Sequence, residues 1–205
     1  MSSPQGTEPK IVLIRHAETE WTISHRHTGR ADIPLTDNGR DAARALATTL
    51  AGRSFGAVLV SPSLRARETC ELAGLGAQAT LNADLLEWDY GEYEGLTRDE
   101  IEARRPDWQL WRDGCPGGEL LADVGARADR VILAATTLPG PVALFSHGHL
   151  LRVLGARWAP SRAAVWVSPP APCACSPMST EPESWHAGTT SPATRSPEMV
   201  ARADV

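Results

Sequence analysis

The chain has few of the features that mark secreted, membrane-spanning or nucleic-acid-binding proteins. Its 205 residues include 4 cysteines, too few and too scattered for a disulfide framework, so a reducing cytoplasm is the expected compartment. No apolar run approaches the ~20 residues that span a bilayer, and residues 1–10 contain no apolar segment of the secretory type. With a formal net charge of −5, the chain lacks the overall positive field expected of a nucleic-acid-binding protein.

The last quarter of the chain lacks large core residues. No Leu, Ile, Phe or Tyr occurs after Leu154, and 8 of the 16 prolines lie from Pro160 onward. A segment this poor in large apolar side chains does not easily offset the entropy that it loses on becoming ordered. The composition therefore predicts that the working domain lies in roughly the first three quarters of the chain and that the Pro/Ser-rich tail, residues 159–205, is disordered.

Short apolar runs alternate with amphipathic segments through the predicted domain. Strands are predicted at residues 10–15, 56–60, 77–81 and 141–145. Helices are predicted at residues 37–52, 63–73, 98–105, 119–138 and 149–158. Residues 22–34, which are polar and rich in turn residues, are predicted to form a loop. The alternation predicts an α/β fold with a sheet that helices cover on both faces.

Polar clusters follow the carboxyl ends of three predicted strands. They comprise Arg15 with His16, residues 61–65, and Ser146 with His147. In open α/β sheets, ligands bind beyond these ends. Arginine presents permanently charged donors that suit phosphate oxygens, and histidine can act as a nucleophile or carry a proton near neutral pH. The residues alone therefore predict an anion site, with phosphate as the favoured ligand.

Six segments of the chain resemble, in order and in spacing, the signatures of the histidine phosphatase superfamily, which is also called the phosphoglycerate-mutase-like family. They are RHAETEW (15–21), HTGRADIPLTDNG (27–39), SPSLRARET (61–69), LEWDYGEYEG (86–95), PGGE (116–119) and SHGH (146–149). A match to one short motif, such as the RHG-like triplet at residues 15–17, would be weak evidence for the family. The ordered set of six segments is specific, and it covers about residues 10–158. The resemblance implies a three-layer sandwich with a mostly parallel central sheet, and the compact spacing is similar to that of a bacterial acid-phosphatase branch.

The resemblance also implies roles for the matching residues. His16 would be the nucleophile that forms a phosphohistidine, and Glu87 would protonate the leaving oxygen and then activate water. The phosphoryl oxygens would be held by Arg15, Arg65 and His147. The substrate would also be contacted by Thr22, Thr28 and Gly29. The resemblance implies neither a metal nor a cofactor, because arginines and histidines neutralise the phosphoryl charge.

Two residues depart from the family pattern. Ala17 stands where the family usually has Gly, and because Gly tolerates backbone angles that Ala resists, an altered pocket floor is expected. Thr22 stands where many members have Asn, and its hydroxyl still provides one hydrogen-bond donor. Neither change removes a charged catalytic group. Glu87 is distinguished from its acidic neighbours, Asp89, Glu92 and Glu94, only by the family register.

The expected activity is hydrolysis of small phosphorylated metabolites in the cytoplasm, by a monomer or a homodimer with no nucleic-acid or membrane partner. One alternative is phosphoryl transfer of the phosphoglycerate mutase type. Another is a non-catalytic or defective member that binds phosphorylated ligands. The short segment 90–114 favours the phosphatase, because the mutases carry a longer insertion with basic residues there.

The tail departs from the family altogether. In the family, the helix after the second histidine leads to at least one more core strand and often to a terminal Trp-Asn, and this chain shows neither. A single-nucleotide insertion or deletion near codons 158–164 would explain the change, because residues 164–192 can be encoded so that a shifted frame reads like the family. Stop codons in that frame of the coding DNA would refute this hypothesis.

Overall fold

The computed structural model describes residues 11–158 and the backbone of residues 164–167. Strands in this part of the chain are β1 (Ile11–Arg15), β2 (Ala57–Val60), β3 (Ala79–Leu81), β4 (Val142–Ser146) and β5 (Ala164–Val167). Its α-helices are α1 (Glu20–Ile23), α2 (Asp37–Leu50), α3 (Leu64–Leu72), α4 (Arg98–Arg104), α5 (Leu110–Asp113), α6 (Leu121–Thr137) and α7 (Gly148–Arg157). Short 3-10 helices lie at Gly76–Gln78, Ala83–Leu85 and Gly91–Tyr93.

The strands form one sheet in the order β3-β2-β4-β1-β5, and every pair of neighbours is parallel. In the centre of the sheet Arg15 of β1 lies opposite Ser146 of β4, and Phe145 of β4 lies opposite Val60 of β2. The carboxyl ends of β2, β4 and β1 therefore meet at one edge. The α/β class predicted from the alternation of apolar and amphipathic segments is confirmed.

Both faces of the sheet are buried beneath helices. Ile11 and Leu13 of β1 belong to an apolar cluster with α6 and α7, whereas Val12 and Ile14 belong to a second cluster with α2 and α3. Because successive side chains of a strand point to opposite faces, a strand buried on both sides is a continuous apolar run. The result is the predicted three-layer sandwich of helices, sheet and helices.

Each predicted helix and strand is present, within two residues of its predicted bounds among the described residues. Local capping explains two of the helix starts. The Thr36 hydroxyl accepts a hydrogen bond from the Gly39 N–H at 2.9 Å where α2 begins. Thr97 and Glu100 form a capping box where α4 begins. Such caps satisfy backbone donors that have no partner within the helix, and they are readable from sequence.

Two short helices were not predicted. Both α1 and α5 have four residues, too few to show helical periodicity, and the end of α1 overlaps the start of the segment 22–34 that was predicted as loop. Helix α1 depends on a capping box in which the Thr19 and Thr22 side chains each accept a hydrogen bond from the other residue's N–H. No helix in the described part of the chain is long and apolar enough to cross a membrane.

The expectation that no core strand follows Trp158 is wrong. Strand β5 pairs with the free edge of β1, with Ala164 opposite Ile11 and Val167 opposite Ile14. Its AVWV sequence is rich in residues that favour strands. It was not predicted because it has only four residues and the surrounding segment is rich in proline. The remaining residues of segment 159–205, for which disorder and a frameshift were predicted, lie outside the described residues.

Candidate active site

Strand register brings two predicted site residues, His16 and His147, side by side. Each follows one member of the Arg15–Ser146 pair at the end of β1 and β4. The His16 N–H continues the ladder by donating to the Ser146 carbonyl at 2.9 Å. The two imidazole centroids are 5.2 Å apart, and their planes are inclined at 57°. The parallel sheet therefore assembles this pair from residues that are far apart in sequence.

The hydrogen bonding of His16 defines which ring nitrogen is free. Its Nδ1 lies 2.7 Å from the Ala17 carbonyl oxygen, which can only accept, so Nδ1 carries the proton and Nε2 carries a lone pair. Burial lowers the pKa of His16 well below its ordinary value, and the positive charges of Arg65 and Arg15 lower it further. The imidazole is therefore neutral near neutral pH, with Nε2 available as a nucleophile.

Ala17 fits its position without backbone strain. Among the described residues that are not glycine, a positive φ occurs only at His25 and Asp107. The Ala17 N–H donates to the Thr69 hydroxyl at 3.0 Å, and its side chain is buried in a small apolar cluster. The glycine that the family usually carries here is therefore not needed for a left-handed conformation in this chain.

Arg65, at the start of α3, is completely buried and is held by a loop. Its Nη1 donates to the Ala31 carbonyl at 2.8 Å, and its Nη2 donates to the carbonyls of Thr28 and Gly29, each at 3.0 Å. Its Nε is buried and has no hydrogen-bond partner among the residues that the structure describes. A buried guanidinium with an unpaired donor is costly, so this position favours an anion.

His147 is held by two serine hydroxyls that the sequence did not single out. Its Nε2 lies 2.8 Å from Ser61 Oγ and 3.2 Å from Ser63 Oγ, whereas Nδ1 is buried with no partner within the described chain. Burial lowers the pKa of His147 well below its ordinary value, and the charge of Arg65 adds to this effect. The only sequence signal for these serines was their place just after β2, two and four residues before Arg65.

Arg15 supplies a cation that is not neutralised by a neighbour. Its side chain is exposed at the end of β1 and makes no hydrogen bond or ion pair with any residue in the described ranges. Its guanidinium lies beside the start of α7, where a Cβ placed on Gly148 would be 3.6 Å from Arg15 Nε. Its charge lowers the pKa of both His16 and His147.

Glu87 is buried, and its carboxylate caps α7. Oε1 accepts hydrogen bonds from the backbone N–H groups of Trp88 at 3.0 Å and Leu150 at 2.9 Å, and Oε2 accepts one from His149 at 3.1 Å. Helix N-termini attract carboxylates because their first N–H groups lack internal partners. The cap places Glu87 beside the residue that precedes α7, which is His147.

The acidic neighbours of Glu87 have other partners. Glu94 accepts hydrogen bonds from three successive backbone N–H groups, those of Gly29, Arg30 and Ala31. Asp89 accepts from the Gly91 N–H and forms an ion pair with Arg30 at 3.2 Å. Glu92 is exposed. The geometry thus supports the choice of Glu87 that only the family register had made. Glu94 was missed, and it stabilises the loop whose carbonyls hold Arg65.

The three predicted substrate-contacting residues use their polar hydrogens within the protein. The Thr22 hydroxyl donates to the Thr19 carbonyl at 2.8 Å, and the Thr28 hydroxyl donates to the Arg26 carbonyl at 3.0 Å. The Gly29 N–H is bound by Glu94 at 2.8 Å. Thr22 and Thr28 are partly buried and Gly29 is buried, so contact with a substrate stays a prediction for all three.

The tryptophan side chains of this part of the chain divide into two kinds. Trp88 and Trp108 are buried, and their indole N–H groups donate to the carbonyls of Glu119 and Gly114, as packing residues do. Trp111 is 43% exposed, and its ring centroid lies 5.3 Å from that of His149. Burial lowers the pKa of His149 to about 4, so a neutral, aromatic wall adjoins Glu87.

These residues form an arrangement suited to phosphoryl transfer. The His16 imidazole lies beside a second imidazole, the charges of two guanidinium groups act on both rings, and a carboxylate lies at the start of the next helix. Cations that face the equatorial oxygens of a phosphoryl group stabilise its transfer. Within residues 11–158, no group of three or more His, Cys, Asp or Glu side chains is arranged to hold a metal ion.

Comparison with known proteins matches the chain to the family "Histidine phosphatase superfamily (branch 1)" over residues 11–190. An acid phosphatase of Mycobacterium tuberculosis is 42% identical over 158 residues, which cover 73% of this chain and 75% of that protein. A 2,3-bisphosphoglycerate-dependent phosphoglycerate mutase of Methylobacterium radiotolerans is 38% identical over 165 residues, which cover 72% and 77%. The solved structure of the open reading frame Rv3214 product from M. tuberculosis superposes with a TM-score of 0.68 at 41% identity, covering 74% of this chain and 80% of that one.

Proposed function

Because this chain belongs to the histidine phosphatase superfamily and is a phosphatase, we propose that it hydrolyses small phosphomonoesters in two displacements at His16. One observation carries the proposal. The His16 ring is neutral, with Nδ1 bound to the Ala17 carbonyl, and it is subject to the charge of Arg65, whose Nε is buried without a partner among the described residues. The first group is a nucleophile that requires no deprotonation, and the second is a donor that requires an anion.

In the first displacement, His16 Nε2 attacks phosphorus and the bond to the leaving oxygen breaks. The carboxyl group of Glu87, in its protonated form, transfers its proton to that oxygen, so the product leaves as a neutral alcohol or phenol. Arg15, Arg65 and His147 bind the three phosphoryl oxygens throughout, and they stabilise the charge that spreads over them in the transition state.

In the second displacement, water attacks the phosphohistidine. The carboxylate of Glu87 takes a proton from the water, the N–P bond breaks, and inorganic phosphate is released while His16 returns to its neutral form. One molecule of water is consumed in each cycle, and Glu87 is protonated again at its end. Splitting hydrolysis into two steps replaces one difficult attack by water with two easier transfers.

The ion pairs around the site favour hydrolysis over mutase chemistry. A mutase needs cations that bind the carboxylate of its substrate and the second phosphate of its bisphosphate. In segment 90–114, Arg98 pairs with Glu102 at 2.6 Å, and both Arg105 and Arg112 pair with Asp113. Three of the four arginines in this segment therefore already have carboxylate partners, which leaves Arg104 as the one without an ion pair among the described residues.

A paired assay distinguishes the two activities. We expect the wild-type protein to release phosphate from phenyl phosphate and to show negligible isomerisation of 3-phosphoglycerate in the presence of 2,3-bisphosphoglycerate. The two products are measured in parallel by phosphate release and by a coupled assay for 2-phosphoglycerate. Fast isomerisation with little phosphate release would show that the chain is a mutase, and no turnover of either substrate would support the non-catalytic alternative.

The pH dependence of hydrolysis follows from the lowered pKa of His16. Protonation of His16 in the free enzyme removes the nucleophile. Burial and the charges of two arginines lower the pKa of His16 well below its ordinary value of 6.5. We expect the acidic fall of kcat/KM to lie below pH 6.5, because kcat/KM reports the free enzyme. The fall of kcat should occur at higher pH, since a bound phosphate dianion favours the imidazolium.

Ionisation of the substrate is the control for this experiment. The pKa of the phosphomonoester is measured separately by phosphorus NMR, and its contribution is removed from the profile. A remaining acidic fall of kcat/KM centred at pH 6.5 or above would contradict the assignment of His16 as a buried neutral nucleophile.

The proposal places the enzyme in the cytoplasm and gives it a small phosphorylated metabolite as substrate. The two cysteines in the described part of the chain, Cys70 and Cys115, are buried free thiols, which suits a reducing compartment. The net charge of −5 does not favour a nucleic-acid partner. Cell fractionation and a screen of phosphorylated metabolites test these two parts.

A further inference from the structure

A buried ion pair holds the segment that carries Glu87. Arg127, on α6, donates from Nε to Glu119 Oε1 at 2.7 Å and from Nη2 to Glu119 Oε2 at 2.8 Å. Sequence periodicity places Arg127 on the face of α6 that contains Val124, Ala128 and Val131, all buried. An arginine within an apolar helix face was the one signal that the sequence offered, and it was missed.

The remaining donors of Arg127 bind the backbone around Glu87. Nη1 donates to the carbonyl oxygens of Asp84 at 2.9 Å and Leu86 at 2.8 Å, and Nη2 donates to that of Glu87 itself at 3.3 Å. Glu119 completes the contact by accepting from the Asp89 N–H at 2.9 Å. One ion pair therefore binds three carbonyls and one N–H within six residues of chain.

This segment needs such partners because no regular structure satisfies it. Residues 86–90 lie between two short 3-10 helices and belong to no strand. A buried ion pair contributes little net stability compared with apolar side chains of the same volume, because desolvation offsets the attraction. Its use behind Glu87 is therefore better explained by the geometry that it imposes, since a guanidinium binds its acceptors in a fixed plane.

We infer that Arg127 is a positioning residue for proton transfer by Glu87. Arg127 holds the Glu87 backbone, while the N–H groups at the start of α7 hold the Glu87 carboxylate. Both ends of the side chain are thereby held, and the carboxyl group is kept at the leaving oxygen. The inference rests on the proposed function, because it assigns Arg127 to the acid step of that reaction.

The dependence of rate on the leaving group separates positioning from a general structural role. An alkyl phosphate has a poor leaving group that needs a proton, whereas p-nitrophenyl phosphate releases a stable anion and needs little help. Loss of the acid therefore affects the first substrate far more than the second. Because kcat/KM reports the first displacement, it is the quantity to compare between ethyl phosphate and p-nitrophenyl phosphate.

We expect Arg127→Met to lower kcat/KM for ethyl phosphate by roughly 100-fold and for p-nitrophenyl phosphate by less than about threefold. Glu87→Gln should show the same contrast and serves as the reference. Arg130→Met is the matched control, because Arg130 is on the same helix and pairs with the side-chain carboxylate of Asp84 rather than with the backbone near Glu87. It should leave both values unchanged.

Equal losses on the two substrates, or no loss on either, would overturn the inference. Arg127→Lys is measured in parallel, because it retains the buried charge. If the methionine variant does not fold, the lysine variant provides the same comparison of kcat/KM between the two substrates. We expect Arg127→Lys to show a smaller contrast of the same sign. If hydrolysis by the wild-type chain does not depend on His16, the proposed function has failed, which is a separate outcome from failure at Arg127.

Discussion

Replacing His16 by alanine is expected to lower kcat/KM for phosphomonoesters by at least about 10⁴-fold and to abolish the phosphoenzyme. The loss is this large because the free Nε2 of His16 makes the attack on phosphorus in the first step, and because the second step hydrolyses the phosphohistidine that this attack forms. A neighbouring residue cannot replace it. His147 is bound through Nε2 to Ser61.

Rapid quenching after addition of a phosphorylated substrate measures the intermediate directly. The wild-type chain should carry a phosphoryl group that is labile in acid and stable in base, as a phosphohistidine is, and His16→Ala should carry none. His25→Asn is the control, because His25 is exposed, lies in the same part of the chain and has a φ of 53°, which asparagine also adopts. Full labelling of His16→Ala would place the nucleophile elsewhere.

Replacing Arg65 by methionine is expected to lower kcat/KM by roughly 10³-fold and to destabilise the fold by about 3–5 kcal/mol. Activity falls because, in the proposed reaction, the completely buried guanidinium with its unpaired Nε is one of the groups that bind the phosphoryl oxygens. Stability falls because the same guanidinium satisfies the carbonyls of Thr28, Gly29 and Ala31, which would otherwise be buried without donors.

Arg65→Lys separates these two effects. A lysine ammonium can donate to the loop carbonyls, so we expect most of the stability to return, but it lacks the planar donors that bind two phosphoryl oxygens, so most of the activity should not. Denaturant unfolding measures the first quantity, and steady-state hydrolysis measures the second. Arg44→Met, which removes an exposed ion pair with Asp41 on α2, should change neither. Wild-type activity in Arg65→Met would exclude Arg65 from phosphate binding.

Much of the fold could be predicted because its signals are local. The apolar run at β1, the Thr36 cap of α2 and the periodicity of α6 each depend on residues within a few positions of one another. The same holds for the polar residues at the strand ends, because their place in the chain already assigns them to one edge of a parallel sheet. Strand β5 was missed because its four residues lie in a segment of unfavourable composition.

The candidate site could be named in outline from the family resemblance, but its hydrogen bonds could not. His147 and Ser61 are 86 residues apart, Leu150 and Glu87 are 63 apart, and Arg127 and Glu87 are 40 apart. No local pattern encodes such contacts, since they depend on which strands become neighbours and on which helix face meets a loop.

The sequence by itself determined the α/β class, the positions of most helices and strands, and the residue types that suit a phosphoryl group. Only the tertiary structure decided which nitrogen of His16 is free, which donor of Arg65 is unpaired, and which of four nearby acidic residues caps α7. The physical reason is that periodicity and capping act over one or two turns of chain. By contrast, burial, charge and unsatisfied hydrogen bonds arise only where distant segments pack together.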